Sequence, residues 1–312
     1  MRENFKITLK INSLIYEKVT QLGFDQIGIV KAQKLDKEAR QLEEWLNKNY
    51  NGEMHYMERY FDLRTDPTLL LPGCKSIIVL SLNYDQPKVK FKPNSPKISK
   101  YAVGKDYHKV IKDKSKQLIA YMRNLYGDIQ IRGFVDSGPV MERSWAEKAG
   151  IGWNGKNTLN IHPKRGSYYF LCCILTDLEF EYTQSIKDHC GTCKRCIEAC
   201  PTSAIHQDGY LLDAAKCISY LTIELKTKIP EEFRPKMETW AFGCDICQEV
   251  CPWNRFSKPT RVEEFAPNPD LINLSLSDWL EISDETWNKV SVDSPIKRAG
   301  KENFQRNIRF IV

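Results

Sequence analysis

The sequence predicts an α+β protein in three parts: a mixed α/β domain over residues 1–184, a cysteine-rich module over 185–256 and a short helical tail over 257–312. Three observations predict it. Eight of the eleven cysteines crowd between Cys190 and Cys251. Before them, runs rich in Ile, Val, Tyr and Phe alternate with stretches of helical periodicity. After them come prolines mixed with aromatics and no further cysteine.

The length of 312 residues fits about two domains with a sizeable core. Hydrophobic residues at 42% and charged residues at 28% exclude disordered and fibrous classes. No apolar run approaches the ~20 residues of a membrane span. The first residues carry charges but no long apolar stretch and no twin arginine, which argues against export and for the cytoplasm. Thiols stay reduced there, so these cysteines read as metal ligands before disulfides. The net charge of +6 says little by itself.

In chain order, strands are expected at Gln26–Val30, Ser76–Leu82, Ile129–Val135 and Tyr168–Leu175. Helices are expected at Ile11–Leu22, Glu38–Lys48, Tyr107–Leu125 and Val140–Ala149, the last with Ser137 as cap and Pro139 as an early proline. Pro87 to Pro96 reads as a loop. Leu276–Leu280 and Asp284–Val290 are short helix candidates in the tail.

The first cysteine run, Cys190-Gly-Thr-Cys193-Lys-Arg-Cys196-Ile-Glu-Ala-Cys200-Pro201, is C-x2-C-x2-C-x3-C-P, the spacing of bacterial ferredoxins. Close spacing wraps three thiolates around one corner of an iron–sulfur cube. The x3 step begins a helix and swings the fourth cysteine to another cluster. The second run, Cys217 and then Cys244-Asp-Ile-Cys247-Gln-Glu-Val-Cys251-Pro252, ends the same way. Exchange of the terminal cysteines gives two sets, Cys190, Cys193, Cys196 and Cys251, and Cys200, Cys217, Cys244 and Cys247. Each suits one 4Fe–4S cluster. Four cysteines also suit zinc, but two Cys-Pro endings and the interleaved spacing favour iron–sulfur. Cys74, Cys172 and Cys173 read as buried core residues.

Gly150-Ile-Gly-Trp-Asn-Gly155 matches a dinucleotide fingerprint by letter only. A helix precedes it instead of a strand, so it reads as a helix stop and a glycine-rich loop. Asp136 ends an expected strand. A carboxyl in an apolar setting can have a raised pKa and act as a general acid, although a turn aspartate is the commoner occupant of such a position. Ten lysines and two acids between Lys88 and Lys116 give a local charge of +8. Either nucleic-acid phosphates or solvent could face it. Lys297, Arg298, Lys301, Arg306 and Arg309 form a second basic group against Glu302.

Taken together, the chain resembles the epoxyqueuosine reductases. The matching pieces are Arg64-Thr-Asp-Pro67, Tyr101-Ala-Val-Gly-Lys-Asp-Tyr-His108, Val135-Asp-Ser-Gly-Pro-Val-Met-Glu-Arg143, Gly150-Ile-Gly-Trp-Asn-Gly-Lys-Asn-Thr158, both cysteine runs, Cys217-Ile-Ser-Tyr-Leu-Thr-Ile-Glu224, Lys297-Arg-Ala-Gly300 and Arg306-Asn307. The resemblance implies a nitroreductase-like cobalamin-binding catalytic domain joined to a two-cluster ferredoxin-like module. It implies Asp136 as proton donor and a cobalamin pocket of Arg59, Ser99, Asp136, Trp153, Lys156, Asn157 and Thr158. Longer members end in HEAT-type repeats, and this chain is similar to the short form.

The implied reaction is reduction of the epoxide of epoxyqueuosine, at the wobble position of a tRNA anticodon arm, to the alkene of queuosine. An external electron donor would feed the two clusters, and a monomer is expected. The rivals are a cobalamin-dependent reductive dehalogenase-like enzyme, a two-cluster electron carrier without its own substrate and a zinc-bearing RNA-binding module.

Overall fold

The computed structural model describes residues 13–86 and 89–312. Its centre is a four-stranded sheet in which every neighbouring pair is antiparallel. The strands are β1 (Gln26–Lys31), β2 (Ser76–Asn83), β4 (Ile131–Phe134) and β7 (Tyr169–Thr176), in the order β1-β2-β7-β4. The two central strands are mostly apolar and buried because both faces of the sheet are covered. Alternate residues divide between two cores. Ile78, Leu80, Leu82, Cys172 and Ile174 face the core that holds Ile111, Leu118 and Met122 of the helix Tyr107–Tyr126. Ile77, Val79, Cys173 and Leu175 face Trp145 and Ala146 of the helix Glu142–Lys148. Cys74, Cys172 and Cys173 are buried, as expected.

Gly28 of β1 lies against the end of that second helix. A Cβ there would come within 2.0 Å of the Ala149 carbonyl oxygen. Gly150 ends the helix at φ +71, a conformation that L side chains rarely adopt. The loop beyond it is a small hairpin of β5 (Trp153–Asn154) and β6 (Asn160–Ile161), with no strand–turn–helix unit.

Some expectations are corrected. The helix expected at Val140–Ala149 begins at Glu142 and has no side-chain cap. The Ser137 hydroxyl bonds the Val135 carbonyl instead, so Ser137 and Pro139 stay in the preceding loop. The strand expected at Ile129–Val135 shortens to Ile131–Phe134. Asn12 and the residues before it, and Pro87 and Lys88, lie outside the described residues. The first helix is therefore described over 13–21 only.

The tail is helical at Leu276–Leu280, Asp284–Ser291 and Lys301–Ile311. Ser275 and Ser283 cap the first two, Ser275 in a capping box with Asp278. Trp279, Trp287, Phe304 and Ile308 share one core with Ile98, Val103 and Phe242, drawn from all three parts of the chain. There β3 (Lys97–Ile98) pairs in parallel with β8 (Trp240–Phe242). Asn307 is fully buried and donates to the carbonyls of Thr222 at 2.7 Å and Ala241 at 2.9 Å. Arg306 donates to the carbonyls of Leu221 and Leu225, both at 2.9 Å, and so satisfies the end of the helix Ile218–Ile223.

Candidate functional site

The cysteine segment folds as two matching turns. In each, the x3 step is one short helix, Arg195–Glu198 or Ile246–Glu249, and the two helices pack together. Cys196 and Cys247 lie on these helices, and Cys200 and Cys251 follow them, each ahead of a proline. The pairing folds one run's end against the other's beginning. Cys190, Cys193, Cys196 and Cys251 line one cavity together with Lys156 and Trp253. Cys244 lies close to Cys217 and Cys200, and Cys247 close to Cys217 and Cys244. Among the described residues, no three His, Cys, Asp or Glu side chains are placed to hold a single metal ion. The four thiols of the first set frame a space, which is the arrangement a polynuclear cluster requires.

The glycine-rich loop leans on this segment. Trp153, fully buried, donates its indole N–H to Cys190 Sγ at 3.4 Å. Lys156 Nζ donates to the carbonyls of Gly191 at 2.6 Å and Cys193 at 3.0 Å. Asn157 Nδ2 donates to the Cys247 carbonyl at 3.3 Å. Thr158 takes a left-handed backbone, φ 64, and its carbonyl accepts from Arg143 at 2.6 Å.

Asp136 stands elsewhere, just past β4. Its φ of 52 is left-handed, which Asp tolerates better than most residues. Oδ2 accepts from the Tyr107 hydroxyl at 2.9 Å and pairs with His108 Nε2 at 3.1 Å. His108 Nδ1 meets Asp106 at 2.8 Å. The Asp136 backbone N–H donates to Glu142 Oε1 at 2.7 Å. That contact holds the loop over the helix start, and it explains why the helix begins late. Although hemmed in by these groups, the Asp136 side chain keeps 61% of its surface open.

The charges are set by these neighbours. Burial disfavours the Asp136 anion, but His108, the Tyr107 hydroxyl and Arg298 outweigh it and hold the carboxyl below the usual range. A raised pKa, one of the two readings the sequence allowed, is not what these neighbours produce. The surroundings are apolar in sequence but ionic in space. Burial also opposes the His108 cation, yet Asp106 and Asp136 push its pKa up to about 9. Burial, with Asp136 beside it, pushes Glu142 up to about 8. At neutral pH the resting cleft therefore keeps its protons on His108 and Glu142.

Of the residues expected around cobalamin, Arg59 and Asp136 are exposed, whereas Ser99, Trp153, Lys156 and Asn157 are enclosed by protein. Ser99 is buried, with its Oγ pressed against Gly243. An open carboxylate between an imidazolium and a tyrosine hydroxyl fits the reacting face of a large cofactor. Of the enclosed residues, Trp153, Lys156 and Asn157 pack on the cysteine segment.

Several residues of the cleft had no role on sequence grounds. Tyr107, His108, Glu142, Arg64 and Arg298 lie within the quoted motifs, but spacing alone does not bring them together. Arg298, from the tail, pairs with Glu224 at 2.9 Å and still acts on Asp136. Tyr101 links the two regions. It packs edge-on to Tyr107 and lies against Phe242 and Gly243, immediately before Cys244.

The basic stretches are partly paired. Lys92, Lys97, Lys100, Lys109 and Lys116 pair with Asp278, Glu238, Asp85, Asp293 and Asp113. In the tail, Arg298 and Lys301 pair with Glu224 and Asp284. No helix of the described residues is long and apolar enough to cross a membrane.

Known proteins resemble this chain over most of its length. A family model described as "Epoxyqueuosine reductase QueG, DUF1730" matches residues 64–137, and one for a 4Fe-4S double cluster binding domain matches 189–254. An epoxyqueuosine reductase of Cyclobacterium marinum is 52% identical over 97% of this chain and 97% of its own length. That of Escherichia coli is 41% identical over 92% of this chain and 77% of its own. A crystal structure of epoxyqueuosine reductase with an epoxyqueuosine-modified tRNA-Tyr stem loop superposes with a TM-score of 0.91. It is 31% identical and covers 97% of this chain and 81% of that one. The Streptococcus thermophilus enzyme gives 0.87 at 32% identity, over 96% of this chain and 80% of that one.

Proposed function

This chain belongs to the epoxyqueuosine reductase family, and from that premise we propose that it reduces epoxyqueuosine in the anticodon arm of tRNA to queuosine. Residues 1–184 form the catalytic domain in this reading, 185–256 the two-cluster module and 257–312 the tail. Cys190, Cys193, Cys196 and Cys251 hold one 4Fe–4S cluster, and Cys200, Cys217, Cys244 and Cys247 the other. An external donor supplies electrons.

The observation that carries the reading is the contact between a proton-bearing cleft and a thiol set suited to one-electron carriers. From Asp136 the path runs through Tyr107 and Tyr101 to the residue before Cys244. Epoxide to alkene and water takes two electrons and two protons, so both functions must meet. Cobalamin, when bound beside Asp136 with Arg59, Ser99, Trp153, Lys156, Asn157 and Thr158 around it, supplies the low-valent metal that side chains cannot provide.

The chain's own part is proton delivery. Asp136 faces the substrate oxygen and protonates it as the C–O bond breaks, because an alkoxide leaves poorly. Asp136 is an anion at rest, so the proton it delivers comes from His108 through their 3.1 Å contact. Glu142 holds the loop by accepting the Asp136 N–H. A modified base is presented out of its stack, as chemistry on a base requires.

The test is anaerobic reconstitution with iron, sulfide, cobalamin and a reductant, then mass analysis of nucleosides from epoxyqueuosine-containing tRNA. Conversion to queuosine is expected. Absence of conversion by protein carrying both clusters and cobalamin would overturn the reading.

A further inference from the structure

We propose that Trp153 and Lys156 set the reduction potential of the cluster held by Cys190, Cys193, Cys196 and Cys251, raising it above the value the four thiolates alone would give. The proposal rests on the ligand set proposed above.

Two features of the loop turn these residues toward this cluster. The first is the indole hydrogen bond. Trp153 is fully buried at the start of the β5–β6 hairpin, edge-on to both His189 and Trp253, and among the described residues its indole N–H bonds Cys190 Sγ alone. A thiolate that accepts an N–H loses electron density from sulfur, and this favours the form of the cluster with one more electron.

The second is the charge of Lys156. The residue is 9% exposed and lines the cavity of the four cysteines. Its ammonium contacts two backbone carbonyls, and among the described residues no carboxylate pairs with it. Buried cations are ordinarily paired. An occupant that carries net negative charge and gains another on reduction provides the missing partner. Nor is the side chain free to leave. Gly209, at φ +78, packs so closely on it that a Cβ there would come within 2.5 Å of Lys156 Cγ, and Tyr210 N–H bonds the Lys156 carbonyl at 2.9 Å. Both groups are fixed, enclosed and aimed at one cluster, and the burial that shields them from water strengthens their effect.

The test is a redox titration of the reconstituted holoprotein, followed by electron paramagnetic resonance, for wild type, Trp153→Phe, Lys156→Met and Lys156→Arg. The signals are assigned first with Cys190→Ala, which must remove one cluster and leave the other. If it does not, the ligand set is wrong, and this result is separate from the proposal itself. Trp153→Phe and Lys156→Met are each expected to lower the midpoint of the assigned cluster while the other stays put. A tenfold change in the reduction equilibrium would read as about 59 mV for one electron. Lys156→Arg is expected to restore most of the Lys156→Met shift. Unmoved midpoints in variants with full iron and sulfide would overturn the proposal. So would loss of the cluster in both Trp153→Phe and Lys156→Met with retention in Lys156→Arg, since these would then be assembly residues.

Discussion

The cluster-binding segment and the Asp136 cleft handle charge in opposite ways. Around Cys190, a buried ammonium meets carbonyls and no carboxylate among the described residues. Around Asp136, ions are matched, with Asp136 and Asp106 on His108 and Glu224 on Arg298. In the first region Asp188 accepts the Cys190 N–H at 2.6 Å, but no carboxylate among the described residues meets the ammonium itself. The second is nearly balanced and can pass a proton with little change in net charge. Electron transfer and proton transfer impose different demands, and the fold meets them in separate places joined through Tyr101.

The comparison can be broken most forcefully at Asp136. Asp136→Asn should keep both clusters, by iron and sulfide content, and lose epoxide reduction by about 10²–10⁴-fold in single-turnover assays. A wild-type rate would remove Asp136 from catalysis.

His108→Gln should cost less, because Asp136 can still be protonated from solvent. It should abolish the alkaline fall in activity expected of the wild type as pH rises through about 9. Stability sharpens the point. The folded pKa of His108 is raised above its ordinary 6.5 by Asp106 and Asp136, so its contribution is complete below about 6.5 and is lost as pH rises through about 9. The stability gap between wild type and variant, measured by denaturant titration, should close over that window. Glu142 also acts on this group and is left intact.

Asn307→Ala tests whether the tail is part of the site's framework. It strands the Thr222 and Ala241 carbonyls, which flank the Arg298–Glu224 pair and the second cysteine set. A loss of about 2–3 kcal/mol is expected in chemical denaturation of the cluster-loaded protein. Lys97→Ala should have the smallest effect, less than about 1 kcal/mol in the same assay, because its pair with Glu238 is half exposed. Weakening of tRNA binding by Lys97→Ala, read by titration at several salt concentrations, would show that the pair opens onto phosphate.

How much was legible in advance follows from chain distance. Seven of the cysteines lie within two short motifs, where three or four residues of spacing fix the local turn, and the sheet strands carried their own apolar runs. The four-stranded sheet and the helices Tyr107–Tyr126 and Leu276–Leu280 appeared within a residue or two of their expected bounds. The late start at Glu142 was not legible, because its cause is a contact back to Asp136. The +8 stretch hid its partners for the same reason. Its neutralising carboxylates, Asp278, Glu238 and Asp293, lie far along the chain.

The sequence by itself determined the chemistry of the metal-binding segment and the secondary structure, because ligand spacing and hydrophobic period are local properties of the chain. Only the tertiary structure decided the ionic state of Asp136, the partners of the lysines and the enclosure of Trp153 and Lys156 beside Cys190. Those depend on Coulomb interactions and desolvation between groups that only the packed fold brings within a few ångströms.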